Sequence, residues 1–346
     1  MCPCYHVRKW RVLTMFRRLF FALVLIYAVA LILFLLIRWR VGEPTPVALV
    51  NRFLPLILMP SLVLLPLCLL GRRVRLALLL VPAVWLFGAD YGPLFLPNAD
   101  PPVDAPRLVL ATYNIGARTT LIEPLIDTMR AVDADIIALQ EVSQQAATQI
   151  ETGLAELYPY MALHPHESMF LGYGLLSKYP ITDDYAYPTE TDRLRLQRTQ
   201  VDYEGVPVTL FNFHAQPVTE SWRSPDVMVR RRQVWQLLDE ADNVSAARIL
   251  LGDFNLNEQS DDYAAITAGY HDAFYEAGWG MGFTNPVWVD LEQPPASRDL
   301  LGMVPPHRRI DFVFYDSRWQ AARAETWPQS GGSDHLPLIV ELAFTG

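Results

Sequence analysis

The chain has 346 residues, 51% of them apolar and 19% charged, and 37 Asp+Glu against 28 Lys+Arg give a net charge of −9. This composition excludes an intrinsically disordered chain, and the acidic balance argues against a protein that coats nucleic acid with a uniformly basic surface. A mean hydropathy of +0.15 in a chain this long points to a part that lives in lipid.

In chain order, the charge divides at Arg107. Residues 1–106 carry 11 Lys+Arg and 4 Asp+Glu, whereas residues 107–346 carry 17 and 33, so a segment of net +7 precedes one of net −16. Residues 19–37 form an uninterrupted run of 19 apolar residues, close to the ~20 that cross a ~30 Å hydrocarbon layer as a helix. The run is longer than the ~7–15-residue apolar region of a cleaved signal peptide. Residues 53–70 are a second uncharged run, punctuated by Pro55, Pro60 and Pro66. A third begins at Leu76 and reaches Leu96 past Asp90. Residues 1–96 are therefore expected to be a membrane anchor with helices at about 19–37, 53–70 and 76–96. Arg8, Lys9, Arg11, Arg17 and Arg18 precede the first run, and Arg72, Arg73 and Arg75 separate the second from the third. Basic flanks mark cytoplasmic sides, so three crossings of a multi-pass cell-membrane protein deliver the rest of the chain outside the cytoplasm. A two-helix hairpin reverses that answer. Residues 97–106, with four prolines in ten residues, read as a stiff linker.

From Arg107 onward short strand-like runs alternate with helical patterns. Residues 107–115 read as a strand, Leu121, Leu125, Ile126, Met129 and Val132 recur at helical spacing, and residues 134–139 are apolar again. Leu154 and Leu157 close a short helix. Residues 172–177 and 206–213 read as strands, and residues 227–241 as an amphipathic helix with Arg230, Arg231 and Arg232 on its polar side. Residues 248–251, 310–315 and 336–342 are further buried strands. Such a pattern suits one layered α/β domain over residues 107–346. The three cysteines, Cys2, Cys4 and Cys68, lie outside it, so it holds no disulfide and no thiol nucleophile.

Polar residues recur where these strands end. Asn114 closes the first strand, Glu141 the second and His214 a later one; Asp253 and Asn255 follow the run at 248–251, and Ser333-Asp334-His335 precedes the last strand. Ligand sites in open α/β sheets gather at such ends. Singly, each has a plainer role as a turn, cap or structural residue. Asp311 differs, because a carboxylate inside the run Ile310-Asp311-Phe312-Val313-Phe314 is costly to bury without a cation, a histidine or a donor.

Taken together, these residues resemble the endonuclease/exonuclease/phosphatase superfamily of divalent-metal phosphoesterases. The resemblance spans residues 107–346 in family order: Asn114, the Gln-Glu-Val box at Glu141, the Gly-x-x-Leu-Leu-Ser-Lys-x-Pro-Ile segment at 172–181, His214, Gly-Asp-Phe-Asn at 252–255, Arg-Ile-Asp-Phe-Val-Phe at 309–314 and Ser-Asp-His at 333–335. It implies a four-layer α/β sandwich of two mixed sheets, DNase I-like, preceded here by transmembrane helices. It also implies Mg²⁺-dependent phosphate-ester hydrolysis, with Mn²⁺ as the alternative ion. Glu141, Asn114 and Asp334 are then expected around the metal. His335 contacts the phosphate or acts as base with Asp311 on its other ring nitrogen, Asp253 orients or deprotonates water, Asn255 donates to a phosphoryl oxygen, and His214 is a second phosphate donor or the leaving-group acid. Thr284, in Gly282-Phe283-Thr284, is a candidate for the site wall and Arg198 a candidate phosphate clamp, with Arg195 beside it. The multi-helix anchor further resembles a bacterial membrane subgroup of teicoplanin-resistance type.

Other constellations carry less. The consecutive Ser333, Asp334 and His335 do not make a hydrolytic triad, which is a matter of geometry. His164 and His166 lack further zinc ligands, and Gly278, Gly280 and Gly282 lack the strand-then-helix context of a phosphate loop. The expected substrate is a phosphoester, lipid-linked or otherwise of the envelope. A tethered nuclease is the alternative, disfavoured by the acidic domain. A catalytically dead binding module is not favoured, since no motif residue is missing. The sequence implies no protein partner.

Overall fold

The computed structural model describes residues 3–96, 104–116, 122–167, 170–188, 194–218, 226–285 and 306–346. The chain divides into two compact units, Met1–Pro93 and Leu94–Gly346. Of the expected linker at 97–106, residues 97–103 lie outside the described residues.

The first unit is helical: α1 (Pro3–Val41), α2 (Thr45–Asn51), α3 (Leu54–Leu70) and α4 (Val74–Tyr91). At ~1.5 Å per residue the 39 residues of α1 extend roughly 58 Å, far more than the 19-residue apolar run requires. Among the described residues, α1 residues 14–41 and the stretch Val74–Phe95 are each long and apolar enough to span a bilayer; α2 and α3, bent by 55° at their junction, are a third span if counted as one. The bend falls at Arg52-Phe53, just before Pro55 in the first turn of α3, where a missing N–H is tolerated. Pro60 and Pro66 remain inside α3, and Pro82 inside α4. Val24, Ala28, Cys68, Ala77 and Leu80 form the unit's buried core, while most other apolar side chains of α1, such as Leu23, Ile26 and Leu33, stay exposed. Helices apolar on nearly all sides are what lipid, not water, accommodates.

The second unit holds β1 (Arg107–Asn114), α5 (Glu123–Val132), β2 (Ile136–Gln140), α6 (Gln144–Leu154), β3 (Tyr160–His164), β4 (Tyr173–Ser177), β5 (Ile181–Ala186), β6 (Leu196–Tyr203), β7 (Val206–His214), α7 (Asp226–Asp242), β8 (Ala247–Asp253), α8 (Asp261–Thr267), β9 (His271–Asp272), α9 (Ala273–Ala277), β10 (Asp311–Tyr315), β11 (Trp319–Thr326) and β12 (Leu338–Phe344). Two six-stranded mixed sheets form, ordered β11-β12-β1-β2-β4-β3 and β5-β6-β7-β8-β10-β9. The parallel pairs are β1/β2 and β7/β8. Helices α5 and α6 bury Leu125, Ile126, Ala147 and Ile150 against Ala111, Tyr113, Ile137 and Leu139 of the first sheet. Residues Val234 and Leu237 of α7 and Ile266 of α8 pack on Phe211, Phe213, Leu250, Phe312 and Phe314 of the second. The result is four layers, helix–sheet–sheet–helix.

Since side chains alternate along a strand, the remaining parity faces the partner sheet. It is mostly apolar, Leu110, Ile136, Leu210 and Leu251 included, but three amide side chains meet within it. Gln140 Nε2 donates to Asn212 Oδ1 at 2.7 Å, and Asn212 Nδ2 donates to the carbonyls of Leu139 and Gly174 at 3.0 and 3.1 Å and to Gln197 Oε1 at 3.1 Å. All three side chains are fully buried, so each bond replaces a solvent partner that neither sheet can recover, and together they fix one sheet's position on the other.

One expectation fails in α7. Arg230 is not on a polar face but only 3% exposed, its Nε 2.8 Å from Asp262 Oδ2 and its Nη1 donating to the Asn255 carbonyl at 2.9 Å. The helix turns this arginine inward because α8 presents a buried carboxylate there. The contact buttresses the turn that carries Asp253 and Asn255.

Candidate active site

The inward parity of four strands ends in chemistry. Asn114 is the last residue of β1, His214 of β7 and Asp253 of β8, while Asp311 is the first of the antiparallel β10. Register places His214 beside Asp253, and Asp253 beside Asp311, at one end of the central strands of the second sheet. Gly252 permits this: its φ is +140°, and a Cβ there would lie 1.9 Å from the Phe213 carbonyl oxygen, so no other residue lets β8 run this close to β7.

The first sheet supplies the facing side. Asn114 Nδ2 donates to Asp253 Oδ2 at 3.1 Å and lies 3.3 Å from Glu141 Oε1, so a single amide joins carboxylates from both sheets. Glu141, the residue after β2, has φ +61°. That left-handed conformation costs a non-glycine residue on the order of 1 kcal/mol, and it ends the strand with the carboxylate beside the partner sheet. His214 Nε2 sits 3.7 Å from Glu141 Oε1 and 3.8 Å from Asp253 Oδ2.

On the other side His335 Nε2 lies 3.8 Å from Asp253 Oδ2, and His335 Nδ1 lies 2.9 Å from Asp311 Oδ2. Thr284 Oγ1 donates to the same Asp311 oxygen at 2.5 Å. Ser333 Oγ donates to the Asn114 carbonyl at 2.7 Å and accepts the His335 N–H at 3.0 Å; its hydroxyl ties the loop to β1 and is not aimed at a substrate. Asn255, with φ +48°, donates its backbone N–H to Asp253 Oδ1 at 2.9 Å and its side-chain amide to the Ala215 carbonyl at 3.0 Å. Asp334 is exposed, and its carbonyl accepts from Asn285 Nδ2 at 3.1 Å.

Burial and charge pull these groups apart in protonation. Burial pushes His214 down, helped by the nearby cations of Arg195 and His335, to about 3. Burial acts the same way on His335, but the charge and hydrogen bond of Asp311, followed by the charges of Asp253 and Asp334, prevail and raise it to about 10. Asp253 is raised to about 7 by burial and by the Asp311 charge, against the opposing pull of His335 and the hydrogen bonds from Asn255 and Asn114. A neutral imidazole, an imidazolium and a carboxyl poised near neutrality therefore share one cleft.

Arg198 does not join them. It lies on β6 with the parity of Leu196, which faces the helices, and its guanidinium meets Asp183 at 3.4 Å near the surface. Arg195 lies nearer the cluster: it is only 8% exposed, its carbonyl accepts the His214 N–H at 3.2 Å, and it interacts electrostatically with Glu141. Arg308 is a second cation that sequence reading missed. Its guanidinium donates to Asn285 Oδ1, and it feels the charges of Asp253, Asp334 and Asp311, although burial lowers its pKa on balance. The usable signal was its place one step before the Arg-Ile-Asp run.

Ligand atoms of Asp253, Asp311 and His335 lie within 4.8 Å of one another, and Asp311 Oδ1 is buried with no hydrogen-bond partner. With Glu141 and the Asn114 amide alongside, the donor set is rich in oxygen and in excess negative charge. It fits a hard divalent cation.

The profile of the endonuclease/exonuclease/phosphatase family matches residues 111–335. The chain belongs to this family. Its members are hydrolases acting on phosphoesters, phosphatases and nucleases among them. No curated protein matches the chain. Among solved structures, the endonuclease/exonuclease/phosphatase from Bacteroides vulgatus is similar at 19% identity and a TM-score of 0.54, over 69% of this chain and 99% of that one. TDP2 from C. elegans is similar at 19% identity and a TM-score of 0.54, over 69% and 76%. A functionally unknown conserved protein from Enterococcus faecalis follows at 16% identity and a TM-score of 0.55, over 68% and 100%. At these identities the neighbours establish the fold of the family member and nothing finer.

Proposed function

We propose that this family member is a membrane-anchored, Mg²⁺-dependent phosphoesterase that hydrolyses lipid-linked or other envelope phosphoesters by attack of water. Residues 1–96 are its anchor, 97–106 its linker and 107–346 its catalytic domain, held outside the cytoplasm by a multi-pass anchor of teicoplanin-resistance type. The observation that carries the chemistry is the Asn114 amide held between Glu141 and Asp253, with the Asp311–His335 pair next to it.

Glu141, Asn114 and Asp334 hold the metal, Mn²⁺ substituting for Mg²⁺. The ion supplies charge neutralisation at the phosphoryl oxygens. His335, kept protonated by Asp311, donates to the phosphate rather than acting as base. Asp253, poised near neutral pH, takes the proton of the attacking water as its oxygen bonds phosphorus and the bond to the leaving oxygen breaks. His214 is neutral and donates one N–H to the substrate, and the Asn255 amide donates to a phosphoryl oxygen. Thr284 and Arg308 act through Asp311 and the acidic cluster. Apolar helices in the same chain as an acidic domain favour a small, metal-neutralised headgroup over a long polyanion.

The test is phosphate release by the full chain in detergent from a panel of lipid pyrophosphates, phospholipids and soluble phosphoesters. Release that needs a divalent ion and is lost in EDTA and in His335→Ala is expected. Activity unchanged by both overturns the reading, and nicking of plasmid DNA in preference to every lipid replaces it with the nuclease alternative.

A further inference from the structure

The helical unit contains a cavity of about 660 Å³ bounded by Arg18 and Phe21 of α1 and by Arg72, Arg73, Arg75 and Leu79 at the start of α4. Nothing in the catalytic chemistry uses it. We infer that this cavity is a binding site for an anionic phospholipid, its arginines taking the phosphate and its apolar wall an acyl chain.

Four arginines line it. None of the four is ion-paired among the described residues, and no acidic side chain lines the cavity. The start of α4 adds to the field, because its N-cap, Arg73, makes no side-chain capping bond and its first turn contains no acidic residue. A helix start without a cap favours an anion.

The turn between α3 and α4 holds an arginine in a conformation strained for any side chain. The end of α3 closes with the Arg72 N–H on the Leu69 carbonyl and the Arg73 N–H on the Cys68 carbonyl, and Arg72 sits at φ +56°. Glycine or asparagine is the usual residue at that left-handed position, since a Cβ there is strained. Gly71, one residue earlier, has an ordinary φ of −75°; there a Cβ would stand 2.7 Å from the Phe21 ring, which lies against the turn. The Arg73 guanidinium in turn is held 5.3 Å over the Phe21 ring.

The apolar wall decides between a lipid and a free anion. Arg18, Phe21, Ala22 and Leu25 follow one face of α1, and Leu76 and Leu79 one face of α4. A phosphate at the arginines thus has an apolar groove running away from it along both helices, about 10 Å from Arg18 to Leu25 at ~1.5 Å per residue. An amphiphile fits both parts; inorganic phosphate fits one. Basic pockets between spanning helices are where acidic headgroups bind.

The test uses the full chain in detergent, titrated with short-chain phosphatidylglycerol or phosphatidylcholine and read by native mass spectrometry and thermal midpoint. Phosphatidylglycerol is expected to bind at least tenfold more tightly than phosphatidylcholine and to raise the midpoint, while inorganic phosphate at millimolar concentration does neither. Arg73→Gln with Arg75→Gln abolishes the preference. Arg72→Gly, which relieves the left-handed strain and so keeps the fold, weakens it severalfold. Equal binding of the two lipids, full preference in Arg72→Gly, or equal protection by inorganic phosphate overturns the proposal.

Discussion

Replacing Asp253 by Asn is expected to stabilise the metal-free protein while it destroys activity. The carboxylate is 2% exposed, and its environment raises it from 3.8 to about 7. At about 1.4 kcal/mol per tenfold, holding it ionised at pH 8 costs the folded state roughly 4 kcal/mol as an upper bound. Asparagine keeps an oxygen for the Asn255 N–H, but its amide group meets the Asn114 amide donor now bound at 3.1 Å, forfeiting about 1 kcal/mol. The attraction to His335 is already contained in that raised value, so the net gain is roughly 3 kcal/mol. For a unit of this size that is a midpoint raised by about 6–12 °C. The sign follows from linkage. The folded state binds the extra proton between pH 3.8 and about 7, so wild-type stability falls across that window and the variant loses the dependence. Thermal unfolding of the full chain in detergent and EDTA, followed by near-ultraviolet circular dichroism at pH 5 and pH 8, reads both effects. A variant no more stable than wild type at pH 8 refutes an Asp253 whose ionised form is destabilised by burial and the Asp311 charge.

Other substitutions probe the same cleft from different sides. Glu141→Gln is expected to abolish the midpoint rise that Mg²⁺ gives the wild type and to lower phosphoesterase activity by a factor of about 10² or more, measured by thermal shift and phosphate release. The activity–pH profile is expected to rise at or below about 7, where Asp253 ionises, and to fall near 10, where His335 loses its proton. Because Asp311 is what raises His335, Asp311→Asn shifts the alkaline limb downward by more than one pH unit, whereas an unmoved limb contradicts the imidazolium assignment. Arg309 is fully buried, its Nη1 2.8 Å from Asp272 Oδ2 and its Nε 2.7 Å from Glu258 Oε1. Arg309→Met leaves the buried Asp272 charge without its cation and is expected to cost about 3–5 kcal/mol in chemical denaturation with KM nearly unchanged in the folded fraction.

Much of the site was legible because strands advertise their ends. Asn114, His214 and Asp253 each close an apolar run, and Asp311 opens one as a carboxylate that no apolar layer tolerates alone. Arg198 misled for a reason of parity: strand β6 was not read from the sequence, so nothing showed that Arg195 faces the partner sheet and Arg198 the helices. Strands β3, β5 and β11 escaped in the same way, since their burial is partial and their alternation with Asp183, Asp184 and Arg323 looks like loop. The polar staple of Gln140, Gln197 and Asn212 was invisible too, because glutamine and asparagine inside strands gain meaning only when a second sheet supplies their partners. In α7, the three consecutive arginines read as solvated until Asp262, distant in sequence, drew one inward.

Binding of Mn²⁺ to the EDTA-stripped full chain, followed by electron paramagnetic resonance beside phosphate release, tests the metal-centred cleft most directly. Wild type is expected to immobilise the ion and recover activity in proportion to it, with Glu141→Gln losing both. Full phosphate release by chain that holds no bound ion contradicts the assignment of this cluster as a divalent-metal hydrolase.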